Sequence, residues 1–393
     1  MAGTVQAGRT KLSVAVMYHP SRAASACEVL AHCAALSPRL VPDPDPTGPP
    51  SPLRTAKQAW SACPDDATHH LVLQDDLVLA DNFAAHLEAV VLQRPAHGIA
   101  LYVNRNSPRN SYLFRRSAAV GARFAPVSSF EYTPTLGFVL PAEQAWRLAA
   151  YLQTIPDERR DDDEAVTVFC RDRSIPVVAA VPSLIEHGEL PSLAGNESHG
   201  PRHGVAFLGH VGLDAGYWAD HPAEAGMAPW RGIPFTLEVR DSRCLIRFAR
   251  SGAGEPVDNL FGWYWHDWCE LLGVRGDEIL DAWGAHMEDA VGGGAADIVR
   301  RGAIPSATAL EFWAAGFLLG FDLLLSARVN AWSAADPRVL RRSVDSWVAG
   351  GLCAHDERFA DGAVRAGLAE VCLAGFAVGC DGRTVARRAK AVR

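Results

Sequence analysis

The amino-acid sequence predicts an α/β protein, in which a mostly parallel sheet flanked by helices precedes a mainly helical C-terminal domain. Two patterns in the 393 residues lead to this prediction. Short apolar segments alternate with helical segments up to about residue 200, which is typical of layered α/β folds with parallel strands. From Asp258 onward the pattern is helical almost throughout. A chain of this length usually forms two or three domains.

The predicted strands of the first half are short runs rich in Val, Leu and Ile. They are Leu12–Tyr18, His70–Gln74, Ile99–Val103, Thr135–Leu140 and Val177–Val181. Between them, apolar residues recur at helical spacing. The predicted helices begin near Ser21 and cover Leu53–Cys63, Asn82–Gln93, Ala142–Leu152 and Glu164–Cys170. We therefore expect a first domain over residues 1–198.

The composition changes after residue 198. Residues 199–257 are rich in Gly, His, Pro and Ala, and we expect them to form a linker, a cover loop and a hairpin. We expect residues 258–393 to form the helical domain. Its most apolar segment, Phe312–Ser326, contains Asp322 and is shorter than the roughly 20 residues of a membrane span. We interpret it as a buried core helix.

Charge and cysteine content exclude several classes of protein. The 45 acidic and 37 basic residues give a net charge of −8, whereas nonspecific nucleic-acid binding needs a basic surface. The nine cysteines show no CxxC or zinc-finger spacing, so neither a zinc framework nor a disulfide scaffold is indicated. Met1–Lys11 is polar and lacks the apolar core of a signal peptide. We expect a cytoplasmic protein with no nucleic-acid partner and no membrane span.

An apolar strand that ends in two carboxylates is the sharpest feature of the sequence. Residues 69–76 read His-His-Leu-Val-Leu-Gln-Asp-Asp. In open α/β sheets ligands bind at the carboxyl ends of the strands, and two adjacent carboxylates favour a cation between them. Oxygen ligands of this kind suit Mg²⁺ or Mn²⁺ beside phosphate oxygens. The alternative is that Asp75 and Asp76 begin a turn and face solvent.

Two further polar segments lie at the ends of predicted elements. Pro-Ser-Leu-Ile-Glu-His-Gly, residues 182–188, follows a predicted strand, so His187 is either a metal ligand or a structural histidine. Asp161–Glu164 opens a helix, where acidic residues stabilise the helix dipole without any catalytic role. Alternatively, one of them is a general base that deprotonates an acceptor hydroxyl.

Taken in order, these segments resemble the nucleotide-sugar glycosyltransferases of the GT-A fold. They are the strand Val14–His19, a Thr-containing helix that ends Ala59-Trp60, the LQDD strand end, Thr-Leu-Gly137-Phe, the DDxE helix start and the closing PSLIEHG. The similarity is closest to bacterial GT-A-like proteins and to lipopolysaccharide and collagen galactosyltransferases, and it covers residues 11–200. The resemblance implies an enzyme that moves a sugar from a nucleoside-diphosphate sugar to an acceptor hydroxyl.

The resemblance also implies a metal site that holds Mn²⁺ or Mg²⁺. Asp76 matches the last Asp of the family's DxD-like motif, which binds the metal across the donor diphosphate. Asp75 would lie at the ribose or the donor sugar and could share the metal. His187 matches a C-terminal histidine that completes the metal coordination. Gln74 stands where the family has Asp or Glu, so the metal role depends mainly on Asp76.

The remaining implied residues lie on the donor and acceptor sides of the site. The donor residues are His19, Arg22, Thr55 and Gly137. His19 and Arg22 would hold the nucleotide base and phosphate, and Gly137 would leave room for the donor sugar because it has no side chain. Asp162 or Asp163 matches the acidic residue near the acceptor, which is the general base if the enzyme inverts.

Two alternatives to this interpretation stay open. One is a nucleotidyltransferase, although the chain lacks the Gly-rich basic loop that holds a triphosphate. The other is a non-catalytic GT-A-like binding or scaffold protein, which Gln74 favours. The acceptor is unspecified among small molecules, glycans and peptides. For the helical domain we consider acceptor binding and homodimer formation.

Overall fold

The computed structural model describes residues 10–193, 201–219, 233–289, 295–326 and 335–381. The chain forms two compact units. The first contains Met1–Asn104 and Arg123–Asp220, and the second contains Arg105–Ala122 and His221–Arg393. The chain therefore leaves the first unit and returns to it, whereas the boundaries expected from the sequence keep residues 1–198 together. Within the expected linker, residues 199–200 and 220–232 lie outside the described part of the chain.

The first unit alternates strands with helices. Its strands are β1 (Leu12–Tyr18), β2 (Arg39–Pro42), β3 (His69–Leu73), β4 (Leu77–Leu79), β5 (Gly98–Ala100), β6 (Phe124–Pro126), β7 (Gly137–Pro141), β8 (Val177–Ala180) and β9 (Ile185–His187). The helices in this stretch are α1 (Ala23–His32), α2 (Pro52–Ser61), α3 (Phe83–Gln93), α4 (Pro108–Ala119), α5 (Ala142–Leu152) and α6 (Asp163–Asp172). Of these helices, α4 belongs to the second unit.

Seven strands form the central sheet in the order β2-β1-β3-β7-β5-β8-β6. β1 pairs in parallel with both β2 and β3, and β5 with β8, whereas β7 and β6 run antiparallel to their neighbours. Five of the seven strands thus share one direction, which confirms the α/β class with a mostly parallel sheet. The pairing of Leu73 with Gly137 brings the start of β7 to the carboxyl end of β3. Residues that follow β1, β2 and β3 therefore meet at one edge.

The centre of this sheet is buried, and the two histidines of β3 contribute to its packing. Trp60 of α2 packs edge-on against His70, with ring centroids 5.7 Å apart. His70 Nε2 lies 2.9 Å from the carbonyl oxygen of Ala59, and His69 Nε2 lies 2.9 Å from that of Pro95. Burial lowers the pKa of both imidazoles, so both rings are neutral core groups that satisfy backbone carbonyls.

The second unit is mainly helical, as the sequence predicts. A three-stranded sheet contains β10 (Phe235–Arg240), β11 (Arg243–Phe248) and β12 (Trp263–Tyr264). Asp241 and Ser242 turn the β10–β11 hairpin with φ values of 52° and 59°, as a type I′ turn requires. The helices after the sheet's first hairpin are α7 (Trp265–Trp268), α8 (Gly276–Asp289), α9 (Ala295–Arg300), α10 (Ser306–Ser326), α11 (Pro337–Gly351), α12 (Ala354–Glu357) and α13 (Gly362–Cys380).

Helices α10 and α13 are long and apolar enough to cross a membrane by length and composition alone. In the structure, 83% of the apolar window of α10 is buried within the protein. Both of its acidic side chains have partners inside the second unit. Glu311 accepts hydrogen bonds from Tyr264 and Trp265, and Asp322 accepts them from Tyr112 and Arg116. These contacts are those of a core helix, as expected for the segment Phe312–Ser326.

Two pairs of glycines let the backbones of α10 and α13 touch. A Cβ added at Gly316 would lie 1.9 Å from the carbonyl oxygen of Cys372, and one at Gly320 would lie 2.3 Å from that of Phe376. The relation is reciprocal, because Gly375 and Gly379 of α13 face α10 in the same way. Small residues four apart allow this close approach of two helices.

Candidate active site

A cavity of about 320 Å³ lies at the carboxyl edge of the central sheet, within the first unit. It is lined by most of the side chains that the sequence singles out, namely His19, Arg22, Thr55, Asp75, Asp76, Asp162 and Asp163. The loops after β1 and β3 and the starts of α2 and α6 position them. Parallel strands carry their carboxyl ends to one edge, so residues far apart in the sequence converge there.

The two carboxylates after β3 are buried, and one guanidinium lies against both. Arg22 Nη1 donates hydrogen bonds to Asp75 Oδ1 at 3.2 Å and to Asp76 Oδ2 at 3.0 Å. Asp75 also accepts a bond from the backbone N–H of His19 at 2.8 Å. Burial raises the pKa of Asp75, and the charge of Asp76 adds to this increase. Asp75 and Asp76 thus line the cavity, and the guanidinium of Arg22 already lies beside both of them.

His187 reaches Asp76 through the pairing of two short strands. β4 and β9 are antiparallel, with Leu77 opposite His187, and the N–H of Gly188 donates to the carbonyl oxygen of Asp76 at 2.7 Å. A Cβ at Gly188 would lie 3.0 Å from that oxygen, so this close approach favours glycine. His187 Nε2 lies 3.5 Å from Asp76 Oδ2. The structure therefore places the two expected metal ligands side by side.

The atoms of these two residues fit a divalent cation in part. His187 Nδ1 lies 2.7 Å from the carbonyl oxygen of Gly188, and burial lowers the pKa of the ring. A neutral ring that donates from Nδ1 leaves the lone pair of Nε2 for a metal. Among the described residues, Asp76 Oδ1 and His187 Nε2 are buried without a hydrogen-bond partner. However, no cluster of three or more His, Cys, Asp or Glu side chains within that part of the chain is arranged as a metal site.

His19 holds the shape of the site with both its backbone and its ring. Its N–H binds Asp75, while its Nδ1 lies 2.7 Å from Ser21 Oγ. Its Nε2 lies 3.1 Å from the carbonyl oxygen of Pro46, in the segment after β2. The ring therefore ties the loop after β1 to the loop after β2, next to the cavity.

Asp162 and Asp163 stand at the start of α6 and line the cavity. Asp162 is 5% exposed. Burial raises its pKa from the ordinary 3.8 to about 7, and the neighbouring Asp163 adds to this increase. Burial likewise raises the pKa of Asp163 to about 6. Two carboxyl groups that exchange protons near neutral pH, in a cleft, are characteristic of a general acid or base.

Thr55 and Gly137 occupy different surroundings. Thr55 is buried in α2 and lines the cavity. Gly137 begins β7 inside the sheet, and it is not among the residues of the described chain that line the cavity. A Cβ at Gly137 would lie 2.5 Å from Ile185 Cδ1 and 3.1 Å from Leu73 Cδ2. The space beside Gly137 is therefore filled by core side chains.

The cavity also contains an ion pair that the sequence reasoning missed. Asp43 follows β2, and Arg54 of α2 donates to both of its oxygens at 2.8 Å. Burial acts to raise the pKa of Asp43, but the bonds from Arg54 hold it below its usual value. The sequence contains one signal, the short apolar run Leu40-Val41 before this aspartate, but the run lies in a Pro-rich segment, residues 38–52, that is typical of a loop.

Thr135 and Arg202 are further lining residues that the sequence reasoning did not select. Thr135 precedes β7, and its hydroxyl acts to lower the pKa of Asp162 against the effect of burial. Arg202 brings a second cation near His187. Unlike Arg22, its guanidinium makes no ion pair or hydrogen bond among the residues that the structure describes.

The sequence matches no known family profile, and no curated protein is similar enough to it to count as a match.

Proposed function

We propose that the first unit is a GT-A-like glycosyltransferase that moves a sugar from a nucleoside-diphosphate sugar to an acceptor hydroxyl. One observation carries the proposal. A single cavity contains a carboxylate pair beside a cation, Asp75 and Asp76, and a second carboxyl pair whose pKa values lie near neutrality, Asp162 and Asp163. The first pair suits a diphosphate with its metal, and the second suits proton removal from an acceptor.

On the donor side, Asp76 and His187 would hold Mn²⁺ or Mg²⁺. When bound, the ion would supply Lewis-acid neutralisation of charge on the leaving diphosphate. Arg22 would then leave Asp75 and Asp76 and bind the phosphate oxygens, because the metal ion would take its place beside these two carboxylates. Arg202, which also lines the cavity, would add a second positive charge for the diphosphate. These two arginines offset the negative charge of the site.

On the acceptor side, Asp162 or Asp163 would accept the proton of the attacking hydroxyl. General bases act best when their pKa lies near the working pH. The pKa values of about 7 and about 6 meet that condition. The hydroxyl of Thr135, which lines the same cavity and acts on the pKa of Asp162, would orient the Asp162 carboxylate.

A non-catalytic binding module is the second candidate. The contact of Arg22 with both carboxylates favours it, since the pair is then neutralised without a metal. This module would bind an anionic nucleotide and release no product.

A thermal-shift screen followed by an assay of the leaving group tests the proposal. UDP-sugars and GDP-sugars should raise the melting temperature in the presence of Mn²⁺, because a ligand stabilises the folded state by mass action. A positive donor should then release its nucleoside diphosphate when acceptors or water are supplied. Binding without release would identify the module instead. If no nucleotide sugar binds with or without metal, the glycosyltransferase proposal is wrong.

A further inference from the structure

Arg22 contacts the acidic pair of the candidate site and also the chain beyond β9. Its Nη1 donates to Asp75 Oδ1 and Asp76 Oδ2 at 3.2 and 3.0 Å. Its Nη2 donates to the carbonyl oxygen of Pro191, a residue 169 positions away in the sequence. One side chain therefore links the two buried carboxylates to the segment that follows β9.

This segment, residues 189–193, forms a strap along the cavity. It contains neither helix nor strand. Ser192 and Leu193 line the cavity, while Leu190 and Leu193 are 40% and 42% exposed. Segments with few buried contacts open locally at a low cost in free energy. We therefore expect the bond from Arg22 to Pro191 to contribute strongly to the position of the strap.

The chain immediately before the strap is held by contacts that do not involve Arg22. The N–H of Gly188 donates to the carbonyl oxygen of Asp76 at 2.7 Å, and the pairing of β4 with β9 places His187 opposite Leu77. These backbone contacts would keep β9 in place if the guanidinium moved. A movement caused by Arg22 would thus be confined to the residues after Gly188.

The planar guanidinium couples the carboxylates to the strap. Nη1 and Nη2 belong to one rigid group, so a shift of Nη1 away from the carboxylates also shifts Nη2. Asp76 Oδ2, which accepts a hydrogen bond from Arg22, also lies 3.5 Å from His187 Nε2. A divalent cation held by Asp76 and His187 would meet Arg22 at that oxygen, and like charges repel strongly in a poorly solvated site.

We propose that Arg22 is a metal-sensitive latch for the strap. In the metal-free protein, Arg22 neutralises Asp75 and Asp76 and holds Pro191, so the strap stays against the cavity. When Asp76 and His187 hold Mn²⁺ or Mg²⁺, Arg22 leaves the carboxylates and Pro191, and the strap is released. The response to metal rests on the metal site of the proposed function, whereas the latch is a contact of the metal-free chain itself.

Limited proteolysis of the full-length protein tests the latch. Endoproteinase Glu-C cleaves after glutamate, and Glu189 is an exposed residue at the start of the strap. Cleavage of a folded protein follows the population of its locally open form. Cleavage at Glu189, identified by mass spectrometry, should be slow in EDTA and about fivefold faster with MnCl₂. Unchanged or slower cleavage while calorimetry shows that Mn²⁺ binds would overturn the proposal.

Two variants of Arg22 separate the latch from the metal site. Arg22→Gln lacks the guanidinium, so cleavage at Glu189 in EDTA should already be about fivefold faster than in the wild type, and Mn²⁺ should change it little. Arg22→Lys keeps a positive charge for Asp75 and Asp76, but its single nitrogen cannot also hold Pro191 as two nitrogens do. It should be cleaved as fast as Arg22→Gln in EDTA, with a melting temperature closer to that of the wild type.

Arg54→Gln is the matched control for these variants. It breaks another Arg–Asp ion pair of the same cavity, the one with Asp43, and leaves Pro191 untouched. In EDTA it should be cleaved at Glu189 as slowly as the wild type. Rapid cleavage of Arg54→Gln would show that any loss of stability opens the strap and would contradict a specific role of Arg22.

The remaining outcomes distinguish the latch from the proposed function. If the wild type binds no Mn²⁺, the response to metal is wrong together with the proposed metal site. If Arg22→Lys and Arg22→Gln are both cleaved at the wild-type rate in EDTA, the latch is wrong, whatever binds to the site. Should Arg22→Gln fail to fold, as judged by circular dichroism, Arg22→Lys decides between these results.

Discussion

Arg22 lies where the sequence suggests a metal ion. Its Nη1 contacts one oxygen of Asp75 and one of Asp76, and its side chain is only 11% exposed. The two carboxylates need a positive charge because both are buried. An arginine and a divalent cation would compete for the same oxygens, so the occupancy of one should control that of the other.

Replacing Arg22 with Gln removes this competitor and keeps most of the side-chain length. Without metal, the free energy of unfolding should fall by about 3 kcal/mol, because two nearly buried carboxylates lose their counter-charge. With Mn²⁺, the variant should bind the ion at least tenfold more tightly than the wild type. Urea unfolding in EDTA measures the first effect, and calorimetric titration with MnCl₂ measures the second.

Arg54→Gln is the matched control. It breaks an ion pair with Asp43 in the same cavity and leaves Asp75 and Asp76 untouched. This variant should also lose stability, but its affinity for Mn²⁺ should stay that of the wild type. Should both variants bind Mn²⁺ equally, Asp75 and Asp76 are not the oxygens for which arginine and metal compete.

Asp162 should make stability depend on pH. Its pKa is about 7 in the folded protein and near 4 in an unfolded chain. As the pH rises through this window the unfolded chain loses its proton while the folded protein retains it, so the free energy of unfolding falls. The loss is on the order of 4 kcal/mol by pH 7. Asp162→Asn should remove this part of the decline, as measured by urea unfolding between about pH 4 and pH 8.

The exposed neighbour Asp161 provides the comparison for this measurement. Asp161→Asn should keep most of the pH dependence of the wild type, because the charge of Asp161 raises the pKa of Asp162 and Asp163 less than burial does. Asp163, with a pKa of about 6, contributes a decline of the same sign in all three proteins. Parallel pH profiles for Asp162→Asn and the wild type would show that Asp162 ionises normally.

At the scale of elements, the contact between α10 and α13 depends on glycine. An added methyl at Gly316 would penetrate the backbone of α13, 1.9 Å from the carbonyl oxygen of Cys372. Gly316→Ala should therefore lower the free energy of unfolding by about 3 kcal/mol or more, which is the upper range for overpacking. Gly284→Ala in α8 is the control, because nothing lies within 4 Å of its Cβ. That variant should gain up to about 1 kcal/mol from helix propensity. Equal melting temperatures of the two variants would contradict the close contact.

Strands and helices whose own residues show an apolar run or a helical periodicity could be predicted. Those whose burial depends on distant residues could not. β3 and the carboxylates after it follow from an apolar run with a polar end. Helix α4 is not among the predicted helices, because its sequence Pro-Arg-Asn-Ser-Tyr-Leu-Phe-Arg-Arg sets one short apolar run between polar and charged residues. Its burial depends on partners far along the chain: Arg116 binds Asp322, 206 residues away. The contact of Arg22 with Asp76, 54 residues away, could not be predicted from a local sequence pattern either.

At the scale of the whole molecule, the path of the chain determines which fragments can fold. Residues 105–122 belong to the second unit, so a fragment of residues 1–220 carries α4 without the residues that cover it. This fragment should bind the dye ANS strongly through the uncovered Tyr112, which is fully buried in the core of the second unit in the intact chain. Replacing residues 105–122 with a Gly/Ser linker of equal length should abolish most of this binding. Equal dye fluorescence of the two fragments would mean that α4 does not supply the apolar surface to which the dye binds.

Over the whole chain, the sequence predicts the fold class better than the candidate site. Most of the predicted site residues line the cavity, because alternating strands and helices bring the carboxyl ends of strands together. The sequence did not reveal that Gly137 faces Ile185 and Leu73, since core packing at a strand depends on residues from other strands. The Asp43–Arg54 pair escaped notice because four strand residues inside a Pro-rich segment give little periodicity.

The assignment of α4 to the second unit also has a consequence for protein synthesis. Arg115 of α4 binds Ser343 and Ser346 of α11, which the ribosome adds more than two hundred residues later. At a translation rate of about 5–20 residues per second, these partners are synthesised roughly ten to forty-five seconds after α4. During that interval the nascent chain exposes apolar and cationic side chains that the finished protein buries. Chaperone demand during translation should therefore fall when the α4 sequence, and not the central sheet, is made less apolar.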